Sequence, residues 1–232
     1  SVFELDHIPS SYNYVDTFVS APTTGEYLSS RLRPAVIEYL CPPGIGFQDA
    51  ISEHSTMIRR CSREMFKEVT FSRSQQSVGF ILEADPSKPF GPISVTKTFS
   101  LKKHTLTVSY ALVNTGNFPL RFSFITQIDF SFSGFSNDNY RLFIQREQDT
   151  EEVDLDELNL RSVDAIQYLD SKNDTLITIS LKLPFSAWQY PVFEKNSQYQ
   201  STCIMPIQEV LLASQEKWET YLTLTFERPA KM

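Results

Sequence analysis

From residue 117 to residue 133 the chain reads NFPLRFSFITQIDFSFS, in which Leu120, Phe122, Phe124, Thr126, Ile128, Phe130 and Phe132 take every second position. Arg121, Ser123, Ile125, Gln127, Asp129 and Ser131 fill the gaps. A period of two sends successive side chains to opposite faces of a strand, so the pattern predicts a strand whose phenylalanine face lies in a core. The opposite face carries an Arg, a Gln, an Asp and two Ser. It is expected to meet water, or a ligand that hydrogen-bonds as water does.

Strand-like runs of β-branched and aromatic residues surround this stretch, at residues 67–73, 77–84, 92–101 and 104–114 before it and at 139–145, 163–169, 174–183, 201–212 and 218–227 after it. The turns between the earlier runs, SRSQQS, DPSKPFG, KKH and NTGNFP, are of hairpin size. Within 104–114, Leu106, Val108, Tyr110 and Leu112 alternate with Thr107, Ser109 and Ala111, so that strand too has one apolar face. The first sixty residues are less regular. Residues 2–5 predict a short strand; Pro9 with Ser10 and Ser11 predicts a helix start, with Tyr14, Val15 and Phe18 on one face. Residues 23–32 suit a second short helix or a loop, and AVIEYL (35–40) is a short apolar run ended by Cys41-Pro42-Pro43-Gly44. Ten to twelve strands joined by short turns, with no long helix, predict an all-β protein: a large antiparallel sandwich of two sheets packed face to face. We expect one domain over residues 1–232, with 1–65 as an opening strand plus loops and short helical turns packed on it.

Composition narrows the partners. Of 232 residues, 41% are hydrophobic and 21% charged, with 18 Phe and 10 Tyr, which is a globular composition tilted toward strand-favouring aromatics. The net charge of −7 comes with no basic run longer than Arg59-Arg60 or Lys102-Lys103, so a nucleic-acid partner is not expected. No apolar run has the length of a membrane span and no signal-peptide pattern opens the chain, so a soluble protein is expected. Cys41, Cys61 and Cys203 are widely spaced; they suit a reducing, cytoplasmic compartment and the role of buried small hydrophobes. Ser1 stands first and the chain enters a strand at once, the pattern expected of a piece of a longer polypeptide.

Little in the sequence carries catalytic chemistry. None of His7, His54 and His104 sits inside an alternating strand, His7 ending one and His104 beginning another, and all three are expected at the surface or at caps. There is no G-x-S-x-G, P-loop or H-E-x-x-H, and no cofactor or metal is called for. The acidic stretch 147–157 holds seven carboxylates in eleven residues and predicts a solvated loop, since no glycine sits where a calcium loop needs one. Sugar binding asks less: aromatic faces against the apolar side of a ring, and carboxylate, amide or guanidinium groups on its hydroxyls. Trp188 and Tyr190, in an aromatic loop bounded by Pro184 and Pro191, are candidates for the first role. Gln127, Asp129 and Arg121 on the polar strand face are candidates for the second. The competing structural roles are a plug at the end of the sandwich for Trp188, an ion pair for Arg121, and a buried polar network between sheet and loop for Gln127 and Asp129. Trp218, opening an alternating strand, is expected in the core.

Three segments resemble the carboxyl-terminal β-sandwich domain of glycoside hydrolase family 57 proteins, the α-amylase and 4-α-glucanotransferase group. VFELDHIPSSYNYVDTF is similar to that domain's opening, an aromatic-Glu-Leu-Asp followed by Tyr-Asn-x-x-(Asp/Asn)-Thr; TVSYALVNTGNFPLRFSFITQIDFSFSG resembles its central hairpin and IMPIQEVLLASQEKWETYLTLTF its closing strands. Glu38-Tyr39 stand where the family often has Asp-His, and Gln127 where it has an acid. The resemblance implies a sandwich of the galactose-mutarotase-like (supersandwich) type and a non-catalytic, carbohydrate-associated module of a glucan-processing enzyme. It places the catalytic carboxylates in an amino-terminal barrel of the same polypeptide, so no activity is expected from this chain alone. An α-glucan or oligosaccharide is the implied ligand. The alternative is a stand-alone sugar epimerase or glycosidase on the same sandwich.

Overall fold

The computed structural model describes residues 27–28, 36–51, 56–61, 64–132, 135–136, 138–193 and 199–229. The strand expected at 2–5, the helical turns near Tyr14, His7 and His54 lie outside them. Within 23–32, where a helix or loop was expected, Tyr27–Leu28 form a short strand, β1.

In chain order the further elements are β2 (Val36–Cys41), helix α1 (Phe47–Ile51), β3 (Arg59–Arg60), β4 (Lys67–Ser72), β5 (Ser77–Leu82), β6 (Ile93–Lys102), β7 (Thr105–Asn114), β8 (Leu120–Phe130), β9 (Tyr140–Arg146), β10 (Asp149–Val153), β11 (Asn159–Asp170), β12 (Thr175–Phe193), β13 (Tyr199–Leu212) and β14 (Lys217–Glu227). The all-β reading holds. The acidic stretch 147–157 keeps its carboxylates at the surface, but it is a hairpin strand rather than a loop: β10 pairs with β9 and sets Glu152 against Arg141 and Glu151 against Arg146.

The hydrogen-bonded path β3-β2-β8-β13-β12-β14-β7-β6-β5-β4 is continuous, so the two expected sheets are one sheet folded over. The fold is made by β12. One of its edges pairs with β11 from Thr175 to Trp188 and with β1 at Val192 and Phe193; on the other, residues 176–181 pair with β14 and residues 186–193 with β13. β13 leads into a front layer with β8, β2 and β3, and β14 leads into a back layer with β7, β6, β5 and β4. The main core fills the space between, where Phe122, Phe124 and Ile128 of β8 meet Val95, Val108, Tyr110, Leu112 and Leu222. Tyr110 and Trp218 pack edge-on against Phe124, with centroids 5.2 and 5.6 Å away; Trp218 itself is half-buried.

The expected aromatic loop around Trp188 is therefore a correction: residues 184–193 are strand. Pro191 fits because Gln189 donates its N–H to Leu158 O on the β11 edge, and two residues later the same edge has no ladder, since β11 pairing ends at Trp188 and β1 pairing begins at Val192. A proline nitrogen at that point leaves no ladder bond unmade.

Two charged groups join the layers. Arg59 of β3 is fully buried; it forks onto Glu64 (2.8 and 2.9 Å) and donates to the carbonyls of Ile93, Glu83 and Phe90. Glu38 of β2, equally buried, receives the Lys97 ammonium at 3.2 Å on both oxygens and the Tyr110 hydroxyl at 3.1 Å. Burial drives the Glu38 carboxyl above its ordinary range, and Lys97 and Tyr110 only partly offset it.

Candidate functional site

The outward face of the front layer is built by period two on four neighbouring strands. β2 contributes Ile37, Tyr39 and Cys41, β8 contributes Ser123, Ile125, Gln127 and Asp129, β13 contributes Cys203, Met205 and Glu209, and β12 contributes Trp188, Tyr190 and Val192. Register puts Tyr190, Cys203 and Asp129 side by side across three strands, and Ile37 beside Gln127. Four of the five residues expected to bind carbohydrate thus come together on one face. Arg121 does not. It stands exposed opposite Leu211, eight positions from Asp129, or about 26 Å along the strand.

This face was expected to meet water or ligand, and most of it meets protein. Phe47 and Ala50 of α1 lie on it and, with Tyr39, Ile125, Trp188, Tyr190 and Met205, form a second apolar cluster separate from the main core. Phe47 makes edge contacts with Trp188 and Tyr190 at 5.6 and 5.1 Å between centroids. Trp188 and Tyr190 keep only 8% and 5% of their surface exposed, so neither ring offers a free face on which a sugar could stack.

Inside this cover the polar residues bond to one another. The Tyr39 hydroxyl donates to Gln127 Oε1 at 2.7 Å, and Gln127 Nε2 donates to Asp129 Oδ2 at 2.9 Å. The Arg60 guanidinium lies 5.4 Å from the centre of the Tyr39 ring. Tyr39 and Gln127 are buried, whereas Asp129 is partly exposed. At the other end Ser123 donates to Glu209 in a short hydrogen bond and to Pro42 O at 3.2 Å, which fixes the turn leading into α1.

The geometry limits the chemistry. A glycosidase sets two carboxyl groups roughly 5 to 9.5 Å apart across the scissile bond. The two carboxylates that these strands place on the face, Asp129 and Glu209, lie six positions apart along the paired strands, about 20 Å. No described histidine belongs to the face; His104 sits exposed in the turn between β6 and β7. Among the described residues no group of three or more His, Cys, Asp and Glu could hold a metal ion. Cys41, Cys61 and Cys203 are all buried and unbridged, and burial pushes the Cys41 thiol up to about 12 and that of Cys61 higher still, so neither supplies a thiolate at neutral pH.

Sequence reasoning missed Tyr39, Arg60, Phe47 and Glu209. Tyr39 was within reach, because alternation in VIEYLC sets Ile37, Tyr39 and Cys41 opposite Glu38. For Phe47 no periodic signal exists in a five-residue helix.

Comparison with known proteins gives concordant results. The family described as alpha-amylase/4-alpha-glucanotransferase, C-terminal, matches residues 30–222. No curated protein matches the chain in sequence. Among solved structures, 4-alpha-glucanotransferase from Thermococcus litoralis superposes with a TM-score of 0.58 at 11% identity, over 86% of this chain but 28% of that one. A galactose mutarotase-like protein from Lactobacillus casei gives a TM-score of 0.56 at 14% identity, covering 70% of this chain and 73% of the other. At such identities the likeness is one of fold.

Proposed function

This chain belongs to the family of carboxyl-terminal domains of α-amylase and 4-α-glucanotransferase proteins, and from that premise we propose that it is a non-catalytic, carbohydrate-associated module of a glucan-processing enzyme. The parent enzyme would belong to glycoside hydrolase family 57, lie in the cytoplasm and carry its catalytic barrel amino-terminal to this domain. The observation that carries the reading is the hydrogen-bonded series Tyr39, Gln127, Asp129 on the outward face of the front layer. Its members hydrogen-bond to one another, and the other carboxylate that the described strands place on this face, Glu209, is about 20 Å from Asp129. Asp129 is the partly exposed member of the series, and a contact from it to an α-glucan hydroxyl would be weak.

A stand-alone epimerase or glycosidase would need an acid and a base facing one cavity. The mutarotase-like likeness supplies the scaffold for such chemistry, and the described side chains of this face do not supply the pair.

The test is direct. The purified chain incubated with maltoheptaose should leave it unchanged, and turnover that disappears on replacing a single carboxylate of this chain would overturn the reading. Titration with millimolar maltoheptaose should perturb backbone amides near Asp129 weakly and reversibly. No perturbation over residues 125–131 would leave the face with a structural role alone.

A further inference from the structure

Adjacent residues of β2 face opposite ways and belong to two different networks. Glu38 points between the layers, where Lys97 of β6 and Tyr110 of β7 hold its carboxylate. Tyr39 points outward and gives its proton to Gln127, which gives one to Asp129. β2 is six residues long, and its outer neighbour β3 pairs with it at two positions only. Besides its ladder to β8 and the packing of Val36, Leu40 and Cys61 in the main core, this edge of the front layer is tied to the back layer by two buried charged anchors, Glu38 on β2 itself and Arg59 on β3.

We propose that Glu38 is a positioning residue whose attachment to Lys97 and Tyr110 sets the place of the Tyr39 hydroxyl, and through it the orientation of Gln127 and Asp129. Asp129 matters for glucan contact only on the reading given above, but the coupling itself needs no ligand. When Glu38 takes up a proton it loses its charge-assisted bonds to Lys97, whose ammonium is then left between the rings of Phe66 and Phe99, 4.5 and 5.5 Å away. The strand is free to shift by the slack that this creates, and Tyr39 moves with it. Among the described residues, Lys97 from β6 and Tyr110 from β7 act on Glu38 directly, and Cys61, after β3, interacts with Glu38 and with Arg59 and Glu64. Proton uptake falls to Glu38, since burial holds Tyr110 and Cys61 protonated, and the Glu64 carboxylate keeps the Arg59 guanidinium charged against its own desolvation.

The experiment follows the ligand-free chain by NMR while pH is lowered from neutral. The side-chain amide of Gln127 and the ring of Tyr39 should shift with the same midpoint as the Glu38 carboxyl carbon. In Glu38→Gln that transition should vanish, in Glu38→Asp it should return, and in Tyr39→Phe Glu38 should still titrate while Gln127 no longer follows it. A Gln127 amide that stays still while Glu38 titrates, or whose transition persists unchanged in Glu38→Gln, would overturn the proposal. Should Glu38→Gln not fold, the Tyr39→Phe comparison decides alone. Repeating the titration with maltoheptaose separates the two readings: absence of sugar binding refutes the glucan contact and leaves the pH coupling to stand or fall by itself.

Discussion

The two faces of β8 are both buried, but they are buried in different ways. Inward, Phe122, Phe124 and Ile128 press against the back layer in a continuous apolar core. Outward, Ile125 joins a smaller cluster under α1, while Ser123 and Gln127 are closed off by hydrogen bonds to Glu209, Tyr39 and Asp129. Alternation along a strand reports that its two faces differ; it does not report that one of them is wet. A polar face can be satisfied by protein as well as by water, provided each donor and acceptor finds a partner.

The largest effect should come from the inward face. Phe124→Ala removes a ring that packs against Tyr110 and Trp218 and should cost ~3 to 5 kcal/mol through the cavity it leaves, read as a lowered denaturant midpoint with unchanged slope. A loss below ~1 kcal/mol would mean that the inner face is not the tightly packed one.

Next comes the charged link between the layers. Lys97→Met strands the Glu38 carboxylate in the core and should destabilise by roughly 3 kcal/mol at neutral pH. The penalty should shrink on acidification. Because the folded-state pKa of Glu38 is raised above its ordinary 4.5, the folded protein binds that proton more readily than the unfolded chain does. Its proton-linked stability is complete below the unfolded value and is lost as pH rises through the folded value. In Glu38→Gln that segment of the pH–stability curve should flatten, which equilibrium unfolding at several pH values would measure.

The outward face should respond less. Gln127→Leu keeps the volume but leaves the Tyr39 hydroxyl without its acceptor, for a loss of about 1 to 2 kcal/mol. A double replacement with Tyr39→Phe should recover part of it, and strict additivity would contradict the hydrogen-bonded series. The smallest change is expected at the surface hairpin: Arg141→Ala breaks the exposed pair with Glu152 and should leave the melting temperature unmoved within error.

What the sequence made legible was local. Strand after strand of period-two pattern sufficed for the all-β class, for the phenylalanine stripe of β8 and for the inward burial of Val108, Tyr110 and Leu112, because alternation is a property of neighbouring residues. The buried free cysteines and the surface position of the acid-rich hairpin could be read from residue type. The grouping of Gln127 and Asp129 with Trp188 and Tyr190 on one face could be guessed, but not what the grouping does. Pro184 and Pro191 suggested a loop, since a proline forfeits a ladder bond; only the pairing of β12 with β11 and β1 shows an edge with no bond there to forfeit. Glu38 and Arg59 looked like ordinary polar residues in short runs, and their burial depends on Lys97 and Ile93, which lie 59 and 34 residues further along. Tertiary structure alone decided that β12 forks into two layers and that α1 packs on Trp188 and Tyr190 of the outward face, because both rest on contacts between residues far apart in the chain, which no local period encodes.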